Sequence, residues 1–149
     1  MLEYLEENYL YQVQYQHVNT LKGVIQGVFV DLIRHNYPII RSEVCLEGVK
    51  LASLHDIAAM KVNDITGNAS RIKDFIDVYF LLEKLSFSDI IAAYMEKYKF
   101  RNEFQAVKSL TWYDDVITEN WPNLILQPEL TFDVVKEKIL KEAKSYIDN

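Results

Sequence analysis

Residues 53–82 read SLHDIAAMKVNDITGNASRIKDFIDVYFLL, and their apolar side chains recur at helical rather than strand spacing. Ser53, followed three residues later by Asp56, resembles a capping box at a helix start. The first predicted helix ends at Thr66-Gly67-Asn68, where a glycine and an asparagine favour termination. The second begins near Ser70 and is apolar around most of its circumference, which predicts a helix buried on several sides.

The residues before this stretch carry the pattern of β-strands. From Tyr9 to Val18, aromatic and aliphatic side chains alternate with glutamines, which predicts a half-exposed strand. A turn is expected at Asn19–Gly23. The run Val24–Ile33 is apolar on both faces, so it predicts an interior strand that pairs with the first as an antiparallel hairpin. Glu43–Leu51 predicts a weaker strand pair that turns at Glu47-Gly48.

Helical signals continue to the end of the chain. Two helices are expected at about 87–99 and 102–110, and Ser86 caps the first of them. The stretch 112–128 is expected to be irregular. A final helix follows Thr131, and its apolar stripe consists of Phe132, Val135, Ile139, Ala143 and Tyr146. Because the strands precede the helices, the sequence predicts an α+β fold. We expect a short antiparallel sheet from the N-terminal third followed by a helical bundle, in one domain over residues 1–149.

Length, composition and charge narrow the class of protein. The chain has 149 residues, of which 50% are hydrophobic and 26% are charged, a composition that supports a packed core and argues against disorder. No apolar run reaches the roughly 18 residues of a membrane span. A secretory signal is also not expected, and there is a single cysteine, Cys45, so we expect a cytoplasmic protein. The net charge of −6 implies that any nucleotide or tRNA contact needs a local basic patch.

Asp31 is the only charged residue in the second predicted strand, where it shares a predicted face with Ile25, Phe29 and Ile33. A carboxylate in an apolar sheet is costly unless it is paired or holds a cation. Two interpretations follow. Asp31 is a metal ligand, or it lies at the strand end and bonds to loop amides or to Arg34.

Four further charged residues lie on the two helices of residues 53–82. Lys61 follows an apolar patch of the first helix. Asp74 and Asp77, three residues apart, share a face of the second, with Arg71 one turn back. Charges on a mostly buried helix must pair with one another or face a cleft. One interpretation is an internal ion network that fixes the two helices. The other places the network on the wall of a nucleotide site, with Lys61 on a phosphate.

Other sites of chemistry have little support in the sequence. His17, His35 and His55 are far apart and have no cysteine near them, which argues against zinc. Cys45 lacks the flanking residues typical of a nucleophile. There is no glycine-rich turn, so neither a Walker loop nor a dinucleotide loop is expected.

Two segments resemble the AbiEii/AbiGii-type toxin family of nucleotidyltransferases. They are Val49–Lys61, VKLASLHDIAAMK, and Ser70–Leu82, SRIKDFIDVYFLL, and the similarity extends to Gly27–His35 and Leu110–Asp115. It covers most of the chain, from about residue 20 to 145. Members of this family are toxins of type IV toxin–antitoxin and phage-abortive systems.

The resemblance implies a nucleotidyltransferase core of the polymerase-β type. In that family a Gly-Ser or Gly-Gly turn cradles the triphosphate, and three carboxylates hold two divalent cations, here Mg²⁺, that activate the attacking hydroxyl. Asp31 falls at the position of the third carboxylate, which makes it the implied metal ligand. Lys61 matches a helical lysine expected near phosphate. The implied catalytic residues are Asp31, Lys61, Asp74 and Asp77, and the implied nucleotide-binding residues are Lys61, Arg71 and Lys73.

The sequence also departs from the family pattern. Asp64 stands where the family has an alanine, and Asn68 stands where it often has an arginine. The phosphate-cradling turn and the first two metal carboxylates are not found, and we expect them to lie before residue 1, through truncation or a split gene. The resemblance then implies transfer of a nucleotide to an RNA or protein hydroxyl by the complete protein, and weak or no activity for this chain alone.

Two alternatives are not catalytic. In one, the chain is a remnant that binds an antitoxin-like protein or dimerises, because an incomplete sheet exposes a strand edge. In the other, it is a small structural domain in which the charged residues form only internal ion pairs.

Overall fold

The computed structural model describes residues 2–99 and 101–148, which group into two compact units. The first unit ends at Tyr37 and the second begins at Pro38. Strands dominate the first unit and helices the second, so the predicted α+β class is confirmed. The single-domain organisation stays a prediction.

The first unit is one helix followed by a three-stranded antiparallel sheet in the order β1-β2-β3. Its elements are α1 (Leu2–Tyr9), β1 (Gln12–His17), β2 (Thr20–Ile25) and β3 (Val28–Ile33). Two-residue turns at Val18-Asn19 and Gln26-Gly27 join the strands. Gln26 and Gly27 both have positive φ, 50° and 83°. This conformation is typical of two-residue hairpin turns, whose twist matches that of the flanking strands.

The structure corrects the prediction for Val24–Ile33. This run is not one interior strand, because Gln26-Gly27 divides it between β2 and β3. The turn expected at Asn19–Gly23 is confined to Val18-Asn19, and most of the expected turn belongs to β2. β2 is the central strand, whereas β3 lies at an edge of the sheet.

Only a small core fills the first unit. Of its described residues, Tyr11 and Leu21 are the buried hydrophobic ones. The Tyr11 ring lies directly against Gly23, where an added Cβ would come within 2.5 Å of Tyr11 Cζ. Gly23 therefore makes room for the largest buried side chain of this unit. The helix α1 has no buried residue and was not predicted.

The second unit combines a short hairpin with a helical bundle. Its elements are β4 (Val44–Leu46), β5 (Val49–Leu51), α2 (Leu54–Gly67), α3 (Ile72–Leu81), α4 (Phe87–Lys97), α5 (Glu103–Leu110), a 3-10 helix (Thr118–Asn120) and α6 (Phe132–Ile147). The hairpin turns at Glu47-Gly48, as predicted, with φ values of 50° and 82°. No described helix has both the length and the apolar composition needed to cross a membrane.

The core of the second unit joins all five of its α-helices. Its largest fully buried side chains include Phe75, Ile90, Tyr94, Leu110, Val135 and Ile139. The helix α3 is buried on several sides, as predicted, and the stripe of α6 faces the core through Val135, Ile139 and Ala143. Ser86 and Asp89 form a capping box at the start of α4, also as predicted.

Candidate functional site

The predicted ion network joins α2 to α3. Lys61, on α2, places its Nζ 2.9 Å from Asp74 Oδ1 and 2.7 Å from Asp77 Oδ2. Because Asp74 and Asp77 are three residues apart, both carboxylates lie on the face of α3 that meets α2. Arg71, at the start of α3, extends the network, with its Nε 3.5 Å from Asp74 Oδ2. The network contains two cations and two carboxylates, so it has no net charge.

Burial differs sharply among the four members of the network. Asp74 is fully buried, although it belongs to the first turn of α3. Lys61 is 24% exposed, while Asp77 and Arg71 are 46% and 60% exposed. Burial lowers the pKa of Lys61, but the hydrogen bonds that its ammonium group donates to Asp77 and Asp74 outweigh burial and raise the pKa above its ordinary value. Lys61 therefore stays charged and holds the two carboxylates together.

One atom of this network lacks a hydrogen-bond donor among the described residues. Asp74 Oδ2 is buried and accepts no hydrogen bond. The guanidinium of Arg71 is the cation that faces it. A buried carboxylate oxygen without a donor is costly, and the attraction of a neighbouring cation offsets part of that cost. Asp74 thus holds the guanidinium group of Arg71 beside the first turn of α3.

A small cavity of about 320 Å³ lies at the start of α3. Its lining residues are Ser70, Arg71, Ile72, Lys73, Ile117 and Asn120. The lining contains two cationic side chains and no acidic one. Lys73 forms no ion pair with any residue in the described ranges. Because Arg71 is already paired with Asp74, Lys73 supplies the unpaired positive charge of the cavity, and that charge favours an anion.

The backbone at this cavity is also polarised toward anions. Arg71 is the N-cap of α3, and its side chain makes no capping hydrogen bond. In α3 the Asp74 N–H donates to the Arg71 carbonyl at 3.1 Å, and the N–H groups before it carry the partial positive charge of the helix start. They lie beside the cations of Arg71 and Lys73, so backbone and side chains favour the same sign of ligand.

Asp31 lies in the first unit and is paired with Lys22, a partner that was not predicted. It is opposite Lys22 in the β2–β3 register, and Lys22 Nζ is 3.0 Å from Asp31 Oδ2. Asp31 shares a face with Phe29 and Ile33, as predicted, but the split of the run puts Ile25 on the opposite face. The pair is about half exposed, so Asp31 is not a buried charge. Its convergence with Lys61, Asp74 and Asp77 stays a prediction.

Neither unit by itself forms a two-metal site from its described residues. No group of three or more His, Cys, Asp or Glu side chains is close enough to hold a metal ion within the described ranges. Asp31 is already paired with Lys22, while Asp74 and Asp77 share Lys61, and Arg71 supplies the second cation that balances them. A pair of Mg²⁺ ions would need further carboxylates than these.

A second ion pair, between Asp56 and Lys97, was missed in the sequence. Lys97 Nζ is 2.7 Å from Asp56 Oδ1, and both side chains are almost completely buried. Asp56 also accepts hydrogen bonds from the Ser53 hydroxyl and from the backbone N–H groups of Ile40 and Arg41. Asp56 lies in the first turn of α2, and its carboxylate also links this helix to α4 and to the segment before β4. We call Asp56 with these partners the Asp56 cluster.

Hydrogen bonds and the nearby charge of Lys97 keep the Asp56 carboxyl group deprotonated. Burial alone would raise the pKa of Asp56, but hydrogen bonds from Lys97, Ser53 and the backbone lower it to about 2. Lys97 also donates to the Pro38 carbonyl at 2.6 Å. A signal was available in the sequence, because Lys97 lies seven residues after Ile90 and three after Tyr94, on the buried stripe of α4.

Comparisons with known proteins do not identify a family. No family model, no curated protein and no solved structure matches the chain. The resemblance to the AbiEii/AbiGii-type family therefore rests on the quoted motifs alone, and it stays a prediction.

Proposed function

We propose that this chain binds the phosphate groups of a nucleoside triphosphate, as part of a nucleotidyltransferase of the AbiEii type. The observation that carries the proposal is the cavity at the start of α3, whose lining includes Arg71 and Lys73 and no acidic residue. These are two of the three residues that the resemblance implies for nucleotide binding. The third, Lys61, belongs to the ion network that Arg71 also joins.

In this proposal Lys61 acts through its neighbours. Its ammonium group is held by two carboxylates at 2.7 and 2.9 Å, and Asp77 beside it would repel a phosphate. Lys61 instead fixes Asp74, and Asp74 attracts Arg71. The phosphates are then bound by Arg71, by Lys73 and by the first N–H groups of α3. Lys61 is a positioning residue here, and Asp77 is the exposed carboxylate of the site.

The wider function follows the resemblance. The complete protein would transfer a nucleotide to an RNA or protein hydroxyl with Mg²⁺ bound by carboxylates that include Asp31. It would act in the cytoplasm as the toxin of a toxin–antitoxin or phage-abortive system, with an antitoxin as partner. In this proposal the chain binds the nucleotide, and catalysis needs further metal-binding carboxylates beside Asp31.

Titration calorimetry with inorganic tripolyphosphate and with nucleoside triphosphates tests the binding proposal. Arg71→Ala combined with Lys73→Ala removes both cations of the cavity, and we expect at least a tenfold loss of affinity for either ligand. Lys141→Ala is the matched control, because it removes an exposed lysine of α6 that does not line the cavity. Equal binding by the double variant and the control would refute the proposal.

A second candidate function, a protein-interaction or dimerisation module, is favoured by a different observation. The hairpin β4–β5 presents one apolar face in which Val44 pairs with Leu51, and Leu46 pairs with Val49. All four side chains are exposed. Contiguous exposed aliphatic side chains on a sheet edge are typical of interaction surfaces. Association of two copies would bury this face.

Sedimentation velocity tests the dimer. We expect a concentration-dependent dimer that is lost on combining Leu46→Lys with Val49→Lys, because both changes put charge on the apolar face. Cys45→Ser is the control, since Cys45 pairs with Lys50 on the opposite face of the hairpin. A wild-type chain that sediments only as a monomer would exclude the dimer as its function.

A further inference from the structure

We infer that Asn120 is a specificity-determining residue that contacts the nucleoside part of a ligand anchored by its phosphates at the start of α3. This inference rests on the proposed phosphate binding by Arg71 and Lys73, and it concerns the other wall of the same cavity. Neither the charge pattern nor the family resemblance pointed to Asn120. It emerges only from the cavity lining, where it faces the cationic segment 70–73.

The wall that carries Asn120 is fixed at both ends. At one end, the Ile117 N–H donates to the Ser70 carbonyl at 3.0 Å, and Ile117 pairs with Arg71 as an isolated parallel bridge. At the other end, Trp121 packs against the hydrophobic core of the second unit. Between them, residues 118–120 form one turn of 3-10 helix. Asn120 is therefore held against the start of α3, although most of the segment 112–128 is irregular.

The chemistry of the Asn120 side chain suits a neutral polar group of a ligand. A carboxamide offers two donor hydrogens and an acceptor oxygen, so it can bond to ribose hydroxyls or to the edge of a base. In the described part of the chain, the Asn120 side chain makes no hydrogen bond, and it is exposed toward solvent. Its hydrogen-bonding capacity is thus available for a ligand.

The cavity is small enough that a ligand inside it would contact both segment 70–73 and Asn120. Its volume of about 320 Å³ lies at the lower end of small-molecule sites, which span roughly 300–1,000 Å³. The cations lie on segment 70–73, and Asn120 lies on the wall fixed to Ser70. A phosphate held by Arg71 and Lys73 therefore leaves the next part of the molecule beside Asn120. Bare polyphosphate has no such part, which gives the inference a direct test.

The experiment compares two ligands on the full chain by calorimetry in buffer without divalent cations. They are inorganic tripolyphosphate and whichever ribonucleoside triphosphate binds most tightly. We expect Asn120→Ala to weaken nucleotide binding about three- to tenfold and to leave tripolyphosphate binding unchanged, which is the loss expected for one or two neutral hydrogen bonds. Asn123→Ala is the matched control, an exposed asparagine three residues on that does not line the cavity.

A second variant tests the position of residue 120 independently. Asn120→Asp has the same size but adds a negative charge, so it should weaken the binding of both ligands by repelling the phosphates. If Asn120→Ala affects both ligands equally or neither, or if Asn120→Asp leaves tripolyphosphate binding unchanged, the inference is wrong while phosphate binding stands. If the wild-type chain binds neither ligand, the proposed function itself fails, and the inference fails with it.

Discussion

At the scale of single residues, the Asp56–Lys97 pair is a contact that stability depends on, because both charged side chains are buried. Lys97→Met keeps the length of the side chain but leaves the Asp56 carboxylate buried without its cation, and it leaves the Pro38 carbonyl without its donor. Breaking a buried ion pair by removing one partner costs about 3–5 kcal/mol. We expect a loss of that size in the free energy of unfolding, measured by urea denaturation with circular dichroism.

Lys99→Met is the control for this loss. Lys99 is two residues further along the chain and exposed, so the same substitution should change the free energy of unfolding by less than about 0.5 kcal/mol. If Lys97→Met lowered the free energy of unfolding no more than Lys99→Met does, the buried Asp56 carboxylate would not depend on its ion pair with Lys97.

The same carboxylate makes a testable contribution to acid stability. The pKa of Asp56 is lowered from its ordinary value of 3.8 to about 2 in the folded chain, so its stabilising effect is fully present above about pH 4 and is lost as the pH falls to 2. The contribution is about 2 kcal/mol. We expect the difference in free energy of unfolding between wild type and Asp56→Asn to shrink by about that amount from pH 5 to pH 2. A difference that stays constant over this range would contradict the lowered pKa.

The charged residues also show how far spacing alone can predict contacts. Lys61, Asp74 and Asp77 were predicted to interact because helical spacing places the acids on one face of a buried helix. The partner of Asp31 was not predictable in the same way. Lys22 becomes its neighbour only through the hairpin register, which a turn at Gln26-Gly27 sets.

At the scale of elements, the three-stranded sheet depends on Gly23. Gly23→Ala would put a Cβ 2.5 Å from Tyr11 Cζ and even closer to the Gln12 carbonyl oxygen, which belongs to the backbone and cannot swing away. Overpacking of this kind costs about 1–3 kcal/mol. We expect faster hydrogen exchange at the amides of β1 and β2 in this variant, while the helices of the second unit keep their protection.

Gly67→Ala is the matched control for that prediction. Gly67 ends α2, and an added Cβ there meets nothing within 4 Å. We therefore expect unchanged exchange in the sheet and a stability of α2 that is equal or slightly higher, because alanine is the better helix former. If Gly23→Ala and Gly67→Ala gave the same hydrogen exchange in β1 and β2, the sheet would not depend on the close contact between Tyr11 and Gly23.

The helices were easier to predict than the strands for a physical reason. Ser53, Ser86 and Thr131 each cap a helix through a side-chain hydrogen bond, and each was predicted from local sequence. The turn at Gln26-Gly27 carries one glycine within an apolar run, so the sequence predicts a strand there. The helix α1 spans only eight residues and buries none of them, which leaves little signal in the sequence.

At the scale of the whole molecule, the order of strands before helices predicted the α+β class. The division at Tyr37 and Pro38 was not predicted, because no glycine-rich or charged linker marks it in the sequence. Grouping into units depends on which side chains pack together. In the first unit two buried hydrophobic side chains are described, whereas the second has a core that spans five helices.

The arrangement of carboxylates over the whole chain leads to a prediction about catalysis. Nucleotide transfer of the polymerase-β type requires carboxylates that hold two cations, and neither unit by itself offers a group of three such ligands among its described residues. Asp31 is held by Lys22 at 3.0 Å, so it is already neutralised. We expect wild-type chain and Asp31→Ala to give the same background when incubated with labelled nucleotides, Mg²⁺ and bulk tRNA. Labelling by the wild type that is lost in Asp31→Ala would instead show that Asp31 leaves Lys22 to hold a metal, and that this chain completes the site by itself.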